Sequence, residues 1–428
     1  MPGDERGVSA ERVDRFLRMT LELPEYWSIV DATLSSRDAE VLARDTRLTR
    51  ERGQVDITLA PAEGKLPCPE CGVASPRYDQ RPEQTWEHLP LFDFRTFLHA
   101  KPVRIRCPEH GVRTVAMPWA RPDSGFTLEY EFRVLDMVKD TPVHSIARKL
   151  GVTDQRLWRV VHHYAAAIRR GVSFTGIRHL GIDEKASRRG HNYISLVVDL
   201  DTHKVIFATE GRDGSVLTEF VHTMEAGGGS RDAVDLVTMD MSAAFIAGVE
   251  REFPQAQIIF DKFHVIQLVT EAVDEVRREE QKEVAELKGS RYLFLKNPDN
   301  LTRKQQAQLE SLLHVPLKTA RAYGLRLQLQ EFYENEPSED ALNVWYARAI
   351  RSRLDPMKRV AKTVKRHWQG VLLGATTKLT NAVLEGINSV IQAAKSRARG
   401  YRRVQNLINM IFILFYPIDR LLATRYVK

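Results

Sequence analysis

Three carboxylates stand where the chain could use them together. Asp183 follows Gly181-Ile182 at the head of a strand-rich stretch, Asp240 closes the apolar run Val234 to Met239, and Glu385 sits among helically spaced apolar residues far down the chain. Phosphodiester cleavage or joining needs an activated water or 3′-hydroxyl and a stabilised leaving oxygen, and two Mg2+ ions roughly 3.5–4 Å apart supply both. Mg2+ prefers hard oxygen ligands and keeps several waters, so a few carboxylates suffice. Each acid alone says little, because the chain carries 56 acids and most solvate its surface. Asp199 and Asp261 also end strands. Asp199 falls at the opposite end of the sheet from Asp183 if the intervening hairpin holds, whereas Asp261 is a serious rival to Asp240.

A second chemistry lies nearer the N-terminus. Cys68-Pro69-Glu70-Cys71-Gly72 is echoed by Cys107-Pro108-Glu109-His110-Gly111, and these are all the cysteines in the chain. Each half reads as a knuckle, two ligands two residues apart with a glycine permitting the turn behind them. Cys68, Cys71, Cys107 and His110 form a closed tetrahedral set suited to structural zinc. The alternative is chance clustering of buried cysteines. An odd, clustered set argues against a disulfide framework.

These groups need elements to position them. Residues 1–60 read as a helix followed by short strands, with Gln54 to Leu59 alternating at period two. Residues 61–118 make the zinc-binding module. Residues 125–172 are helical: Thr141 to Leu150 is a short helix stopped at Gly151, and Thr153 is placed to cap a second from Asp154 to about Ala167. That is a helix-turn-helix pattern, with Gln155, Arg156 and Arg159 facing outward near the start of the second helix. An ordinary helical hairpin is the duller reading. Residues 178–268 run strand, strand, strand, helix, strand, helix, strand, which predicts a mixed five-stranded sheet carrying helices. Residues 269–378 read as all-helical, with Glu271 to Leu287 the first long helix, and residues 379–428 supply final helices packed on the sheet. The class is multidomain α/β.

Composition is that of a soluble globular chain: 428 residues, 43% hydrophobic and 28% charged. The first twenty residues are too charged for a signal peptide, and Met410 to Ile418 is too short to span a bilayer, so a cytoplasmic protein is expected. A net charge of +7 favours polyanions only mildly. Its distribution says more. Arg351, Arg353, Lys358, Arg359, Lys362, Lys365 and Arg366 face one acid, Asp355, and Lys395, Arg397, Arg399, Arg402 and Arg403 face none within their run. Both runs read as solvated faces or as tracks for a DNA backbone. Trp345 or Trp368 could stack on an unpaired base, although buried core is the commoner role.

Taken together, Cys-X2-Cys…Cys-X2-His, a helix-turn-helix, Gly-Ile-Asp-Glu, Asp240-Met241-Ser242, Asp261-Lys262-Phe263-His264, and Asn381-Ala-X-X-Glu385-X-X-Asn388 followed by Arg397-Ala-Arg-Gly-Tyr401 resemble the IS-L-three group of bacterial insertion-sequence transposases. The resemblance covers nearly all the chain from about residue 60. It implies a ribonuclease-H-like fold in which Asp183 and Asp240 leave adjacent strands, with a helical insertion before Glu385. It also implies a DDE triad of Asp183, Asp240 and Glu385, with Asp261 and His264 near but outside it. The implied cofactors are two catalytic Mg2+ ions, which Mn2+ can replace, and one structural Zn2+. The implied partner is double-stranded DNA, at element ends and target, gripped by a homodimer; a bacterial protein that joins the nucleoid when bound is expected. The rival readings are a zinc and helix-turn-helix regulator without catalysis, and a nuclease that cleaves without joining. Glu184 should point to the other face of its strand.

Overall fold

The computed structural model describes residues 15, 17–21, 23–36, 53–91, 94–186, 193–335, 337–377 and 382–417. The chain divides into two compact units, 1–160 and 161–428. The expected N-terminal helix is described in part, over 17–20, with Leu17 and Leu21 buried; Val13 and Phe16 lie outside the described residues, as do Thr380 and Asn381.

In the first unit, β1 (Trp27–Ser36), β2 (Gly53–Pro61), β6 (Gln84–Leu91) and β7 (Phe94–Ala100) form one sheet in the order β1-β2-β7-β6. Its core gathers Trp27, Ile57, Leu59, Trp86, Leu98 and Trp119. Trp119 meets Trp27 and Trp86 edge-on at ring separations of 4.7 and 5.6 Å, a favoured aromatic geometry. β6 and β7 lie between the two knuckles in sequence, yet β7 runs parallel to β2 with Arg95 opposite Gln54. The boundary expected at residue 60 therefore falls inside a shared sheet, because the alternating strand residues Trp86, Leu98 and Ala100 need the same core. The short strands β3 (Leu66–Pro67), β4 (Ala74–Ser75), β5 (Arg77–Gln80), β8 (Val103–Cys107) and β9 (Gly111–Thr114) carry the knuckles around a separate small core of Leu66, Val103, Ile105 and Val115. Helices α1 (Leu128–Asp140) and α2 (Val143–Leu150) follow, and α3 (Asp154–Arg170) begins in this unit. Thr127 caps α1 by accepting from the Tyr130 N–H at 3.4 Å.

In the second unit, β10 (His179–Ala186), β11 (Tyr193–Asp199), β12 (Lys204–Glu210), β13 (Leu236–Met239) and β14 (Gln257–Phe260) form the mixed sheet, ordered β12-β11-β10-β13-β14. β11 lies antiparallel to β10, with Asp199 opposite Leu180 and Leu196 opposite Asp183, which puts Asp199 at the far end. All four residues of β13 are buried, as expected for a central parallel strand covered on both faces. Helices α4 (Ser215–Ala226) and α5 (Ala243–Glu252) separate the last strands.

The helices that follow the sheet start before residue 269. Asp261 caps α6 (Lys262–Glu280) by accepting from the Phe263 N–H at 2.9 Å, so one helix crosses the boundary drawn at 268. α7 (Arg291–Leu295), α8 (Arg303–Leu313), α9 (Lys318–Glu334), α10 (Glu339–Arg351), α11 (Asp355–Arg366) and α12 (Trp368–Thr376) follow it. Trp345 is fully buried and donates its indole N–H to the Leu325 carbonyl at 2.9 Å. Trp368 is buried and donates to Glu339 at 3.2 Å. Both are core residues here and not stacking platforms.

Buried Glu280, at the end of α6, accepts from the Lys318 N–H and from the Thr319 N–H and hydroxyl, each at 2.7 Å. A carboxylate thus satisfies donors that α9 cannot satisfy itself. Glu280→Ala is expected to cost roughly 2–3 kcal/mol, read as a lower denaturant midpoint; a loss below about 0.5 kcal/mol would contradict that role.

Glycines bring the chain back to the sheet. A Cβ on Gly370 would stand 2.6 Å from the Phe260 ring, and one on Gly374 would stand 2.5 Å from the Phe260 carbonyl oxygen. Only bare backbone lets α12 lie this close against β14. α13 (Ala382–Arg397) and α14 (Val404–Phe415) then close the unit. Tyr416, just after α14, donates to the Val205 carbonyl at 3.0 Å, tying that end to edge strand β12.

Candidate active site

The register of the sheet brings the aspartates together. β10 and β13 are parallel with Gly181 opposite Thr238, so two steps further along Asp183 stands beside Asp240. β13 and β14 are parallel with Met239 opposite Phe260, so the next step sets Asp240 beside Asp261. Three acids thus leave adjacent strands at one end of the sheet.

Helix α13 supplies the fourth wall. Leu384, Ile387, Ile391 and Ala394 are its buried face, while Val390 is exposed at 39%. A Cβ on Gly181 would sit 3.0 Å from a Leu384 methyl and 2.9 Å from a Leu200 methyl, so the glycine before Asp183 is what seats this helix. Asp183, Asp240, Asp261, His264, Glu385 and Asn388 line one cavity of about 540 Å3, with Lys185 and Lys395 at its wall. Gly181→Val is expected to push α13 outward and lower DNA cleavage by roughly tenfold or more with the far-ultraviolet spectrum unchanged; full activity would show that the close approach is dispensable.

The acids differ in their partners. Asp183 accepts from the Glu184 N–H at 2.8 Å through Oδ1, and from Asn388 Nδ2 through Oδ2. Lys185 Nζ is 3.3 Å from the same Oδ2. Asp240 accepts from the Ser242 N–H at 3.0 Å and, among the described residues, has no ion-pair partner. Asp261 is engaged on both oxygens, one as the α6 cap and one 3.8 Å from His264 Nε2. Glu184 does not line the cavity, yet burial first, then the charge of Asp240, and more weakly Asp183, raise its pKa. Lys395 donates to the Ala186 carbonyl, and burial followed by the Lys185 charge lowers its pKa.

Asn388 is the residue that sequence reasoning passed over. A carboxylate only accepts, so the amide nitrogen must face Asp183, which leaves Oδ1 buried and, among the described residues, without a donor. The signal was present in Glu385-X-X-Asn388, since a three-residue step keeps both on one helix face. Carboxylates plus one unpartnered amide oxygen make a hard-oxygen set that fits Mg2+ or a similar cation.

Residues 180–411, more than half the chain, match the family model described as transposase, the DDE domain of the ISL3 group. The chain belongs to the ISL3 transposase family. Two further ISL3 models match, a helix-turn-helix domain over residues 115–165 and the zinc-finger of transposases IS204/IS1001/IS1096/IS1165 over residues 66–110. Among curated relatives, the transposase of insertion sequence IS1001 from Bordetella parapertussis is 28% identical over 366 residues, 81% of this chain and 88% of that protein. The transposase of IS1557 from Mycobacterium tuberculosis is 28% identical over 384 residues, 81% and 85% of the two chains. This is therefore a transposase with DNA-binding helix-turn-helix and zinc-ribbon parts.

The ISL3 zinc ribbon holds its donors ready. The ligand atoms of Cys68, Cys71, Cys107 and His110 all lie within 4.8 Å of one another, a set that fits structural zinc. The His110 N–H, then the His110 ring, the Glu109 N–H and Cys71, lower the Cys107 thiol to about 6. The Val73 N–H opposes the change at Cys71, but burial and the sulfurs of Cys107 and Cys68 raise it to about 11. His110 turns Nδ1 toward Cys107 Sγ at 3.6 Å and Nε2 toward Glu70 at 3.5 Å, so an outer carboxylate orients the ligand ring.

The DNA-facing candidates separate. On α3, Gln155 and Arg159 are exposed. Arg156 is not free: it donates to Glu87 at 3.0 Å and to the Gly125 carbonyl at 3.2 Å, and stacks 4.0 Å over Phe126. Its guanidinium locks the helix to the sheet, which corrects the outward placement expected from spacing. Arg397, Arg399, Arg402 and Arg403 are exposed, whereas Lys395 belongs to the acidic cavity. In the 351–366 run, Arg359 pairs with Glu275 at 2.5 Å and Lys365 lies 4.2 Å over Trp368, so part of that charge is spent internally. No described helix is long and apolar enough to cross a membrane.

Proposed function

We propose that this transposase binds the terminal inverted repeats of an insertion sequence, cleaves at its ends and joins the freed 3′-hydroxyl to target DNA, with Asp183, Asp240 and Glu385 as the catalytic acids. The observation that carries this reading is the single cavity lined by all three beside Lys185 and Lys395. Two Mg2+ ions held by these carboxylates would supply the activated oxygen nucleophile and a stabilised leaving oxygen. The chain's own residues prepare the site. Asn388 holds Asp183 in one orientation, Asp261 caps α6 and keeps His264 at the rim, and the two lysines offset the crowded negative charge and face an incoming phosphate. Asp240, which has no cationic partner among the described residues, is favoured over Asp261, whose two oxygens are engaged, as the second ligand.

Gln155, Arg159 and the run Arg397 to Arg403 contact DNA in this reading, with the zinc ribbon supporting recognition of the end. A homodimer is proposed because two ends must meet. A regulator without catalysis has no use for clustered acids, which disfavours that alternative. The deciding experiment incubates end DNA with Mg2+, maps the nicked strand, and then offers a pre-cut 3′-hydroxyl end with target DNA. Joined products are expected. Cleavage without joining would reduce the reading to a nuclease, and neither reaction in Mg2+ or Mn2+ would overturn it.

A further inference from the structure

A second cavity, about 880 Å3, opens along edge strand β12 between α3, α4 and the start of α14. Three exposed guanidiniums, Arg169, Arg170 and Arg403, line it. Among the described residues none of the three has an ion-pair partner. Glu210 and Glu219 line the cavity as well, and Glu219 accepts from the Thr209 hydroxyl at 3.2 Å instead of pairing with arginine. Arg169 stands over the Phe412 ring at 5.8 Å, and partial burial, then the neighbouring Arg170, lowers its pKa, so the two like charges crowd one another. Phe174 and Phe412 are buried beneath the groove at 4% and 1% exposure. They offer a floor but no open ring face on which a base could stack. Forked guanidiniums over such a floor suit phosphate oxygens.

This groove is joined to the first cavity by the chain itself. Lys395 lines one and Arg403 the other. Eight residues can span at most roughly 28 Å, and this stretch is a shaped turn. The Gly400 N–H donates to the Lys395 carbonyl at 2.9 Å, Arg399 and Gly400 both take positive φ, and half-buried Tyr401 follows them. Arg397, Arg399 and Arg402 are exposed along it.

We propose that the β12 groove binds backbone phosphates of the same DNA whose reacting bond lies in the acidic cavity, with residues 395–403 as the track between the two. The proposal rests on the strand-cleaving reading above, but its test does not need cleavage. Phosphate-ethylation interference is mapped on an end duplex in Ca2+ for the full-length protein and for Arg169→Ala/Arg170→Ala. A small group of phosphates, separate from the reacting one, is expected to lose its interference in the variant, with affinity falling about tenfold. Each phosphate contact removed should lower the slope of log affinity against log salt by about 0.9. Trimming the duplex short of those phosphates should erase the difference between variant and wild type. Arg169→Lys/Arg170→Lys keeps the charge without the fork, should fall between the two, and carries the test if the alanine variant is not folded. An identical interference map with an unchanged salt slope in both variants overturns the proposal and leaves the groove to a different, acidic partner. Failure of the cleavage reading would appear separately, as an Asp183→Asn protein that still cuts.

Discussion

Asp183→Asn is expected to lower cleavage of end DNA by at least about 1,000-fold, or about 4 kcal/mol of transition-state stabilisation, while binding to the same DNA persists. The acid is met by three donors, Asn388 and Lys185 on Oδ2 and the Glu184 N–H on Oδ1, so the amide replacement keeps the size, removes the charge and a ligand oxygen, and turns an NH2 group toward one of those donors. Asp240→Ala and Glu385→Ala should match it. Asp261→Ala should differ, because that carboxylate is spent on the α6 cap and His264. A cap is worth about 1 kcal/mol, so a loss of stability with residual cleavage is expected. If instead Asp240→Ala cuts normally and Asp261→Ala does not, the second ligand is Asp261. Asn388→Ala should sit between these extremes, with a 10- to 100-fold loss and a higher Mg2+ concentration at half-activation, as for other residues that orient a ligand.

Much of this site was legible in the chain. Apolar runs located all five strands of the second sheet, while the neighbouring places of Asp183 and Asp240 came only from the family resemblance. What the chain could not show was the register, which is set by pairing across residues far apart, such as Gly181 opposite Thr238. Nor did spacing reveal why Glu385 returns. That depends on bare backbone at Gly370 and Gly374 against β14 and at Gly181 against Leu384, and isolated glycines in a helical pattern read as weak points, not as seats. Arg156 misled for a related reason. Helical periodicity gives a direction but not the partner, and Glu87 lies on a strand far away in sequence. Asn388 was visible inside a motif but had no role until its amide met Asp183.

Loss of zinc is expected to have the other large effect, and on recognition instead of chemistry. The ribbon's strands are very short, β3 and β4 having two residues each, and its core is little more than Leu66, Val103, Ile105 and Val115 beside the cysteines themselves. Such a core cannot order the two knuckles alone, whereas structural zinc contributes roughly 10–16 kcal/mol of apparent binding energy in small modules. Cys107→Ser should therefore drop zinc content below one per chain, expose the short knuckle strands β3–β5, β8 and β9 to proteolysis while β6 and β7 stay protected in their own sheet, and weaken binding to the end sequence by at least about tenfold. The separate sheet of β10 to β14 should keep its protection. Glu70→Gln offers the finer test, since it spares all four donors and removes only the carboxylate behind His110. It should weaken zinc affinity 10- to 100-fold at an unchanged stoichiometry. Full zinc content in Cys107→Ser would break the ligand set. Intact end binding in a zinc-free protein would instead assign recognition to α3 alone, through Gln155 and Arg159.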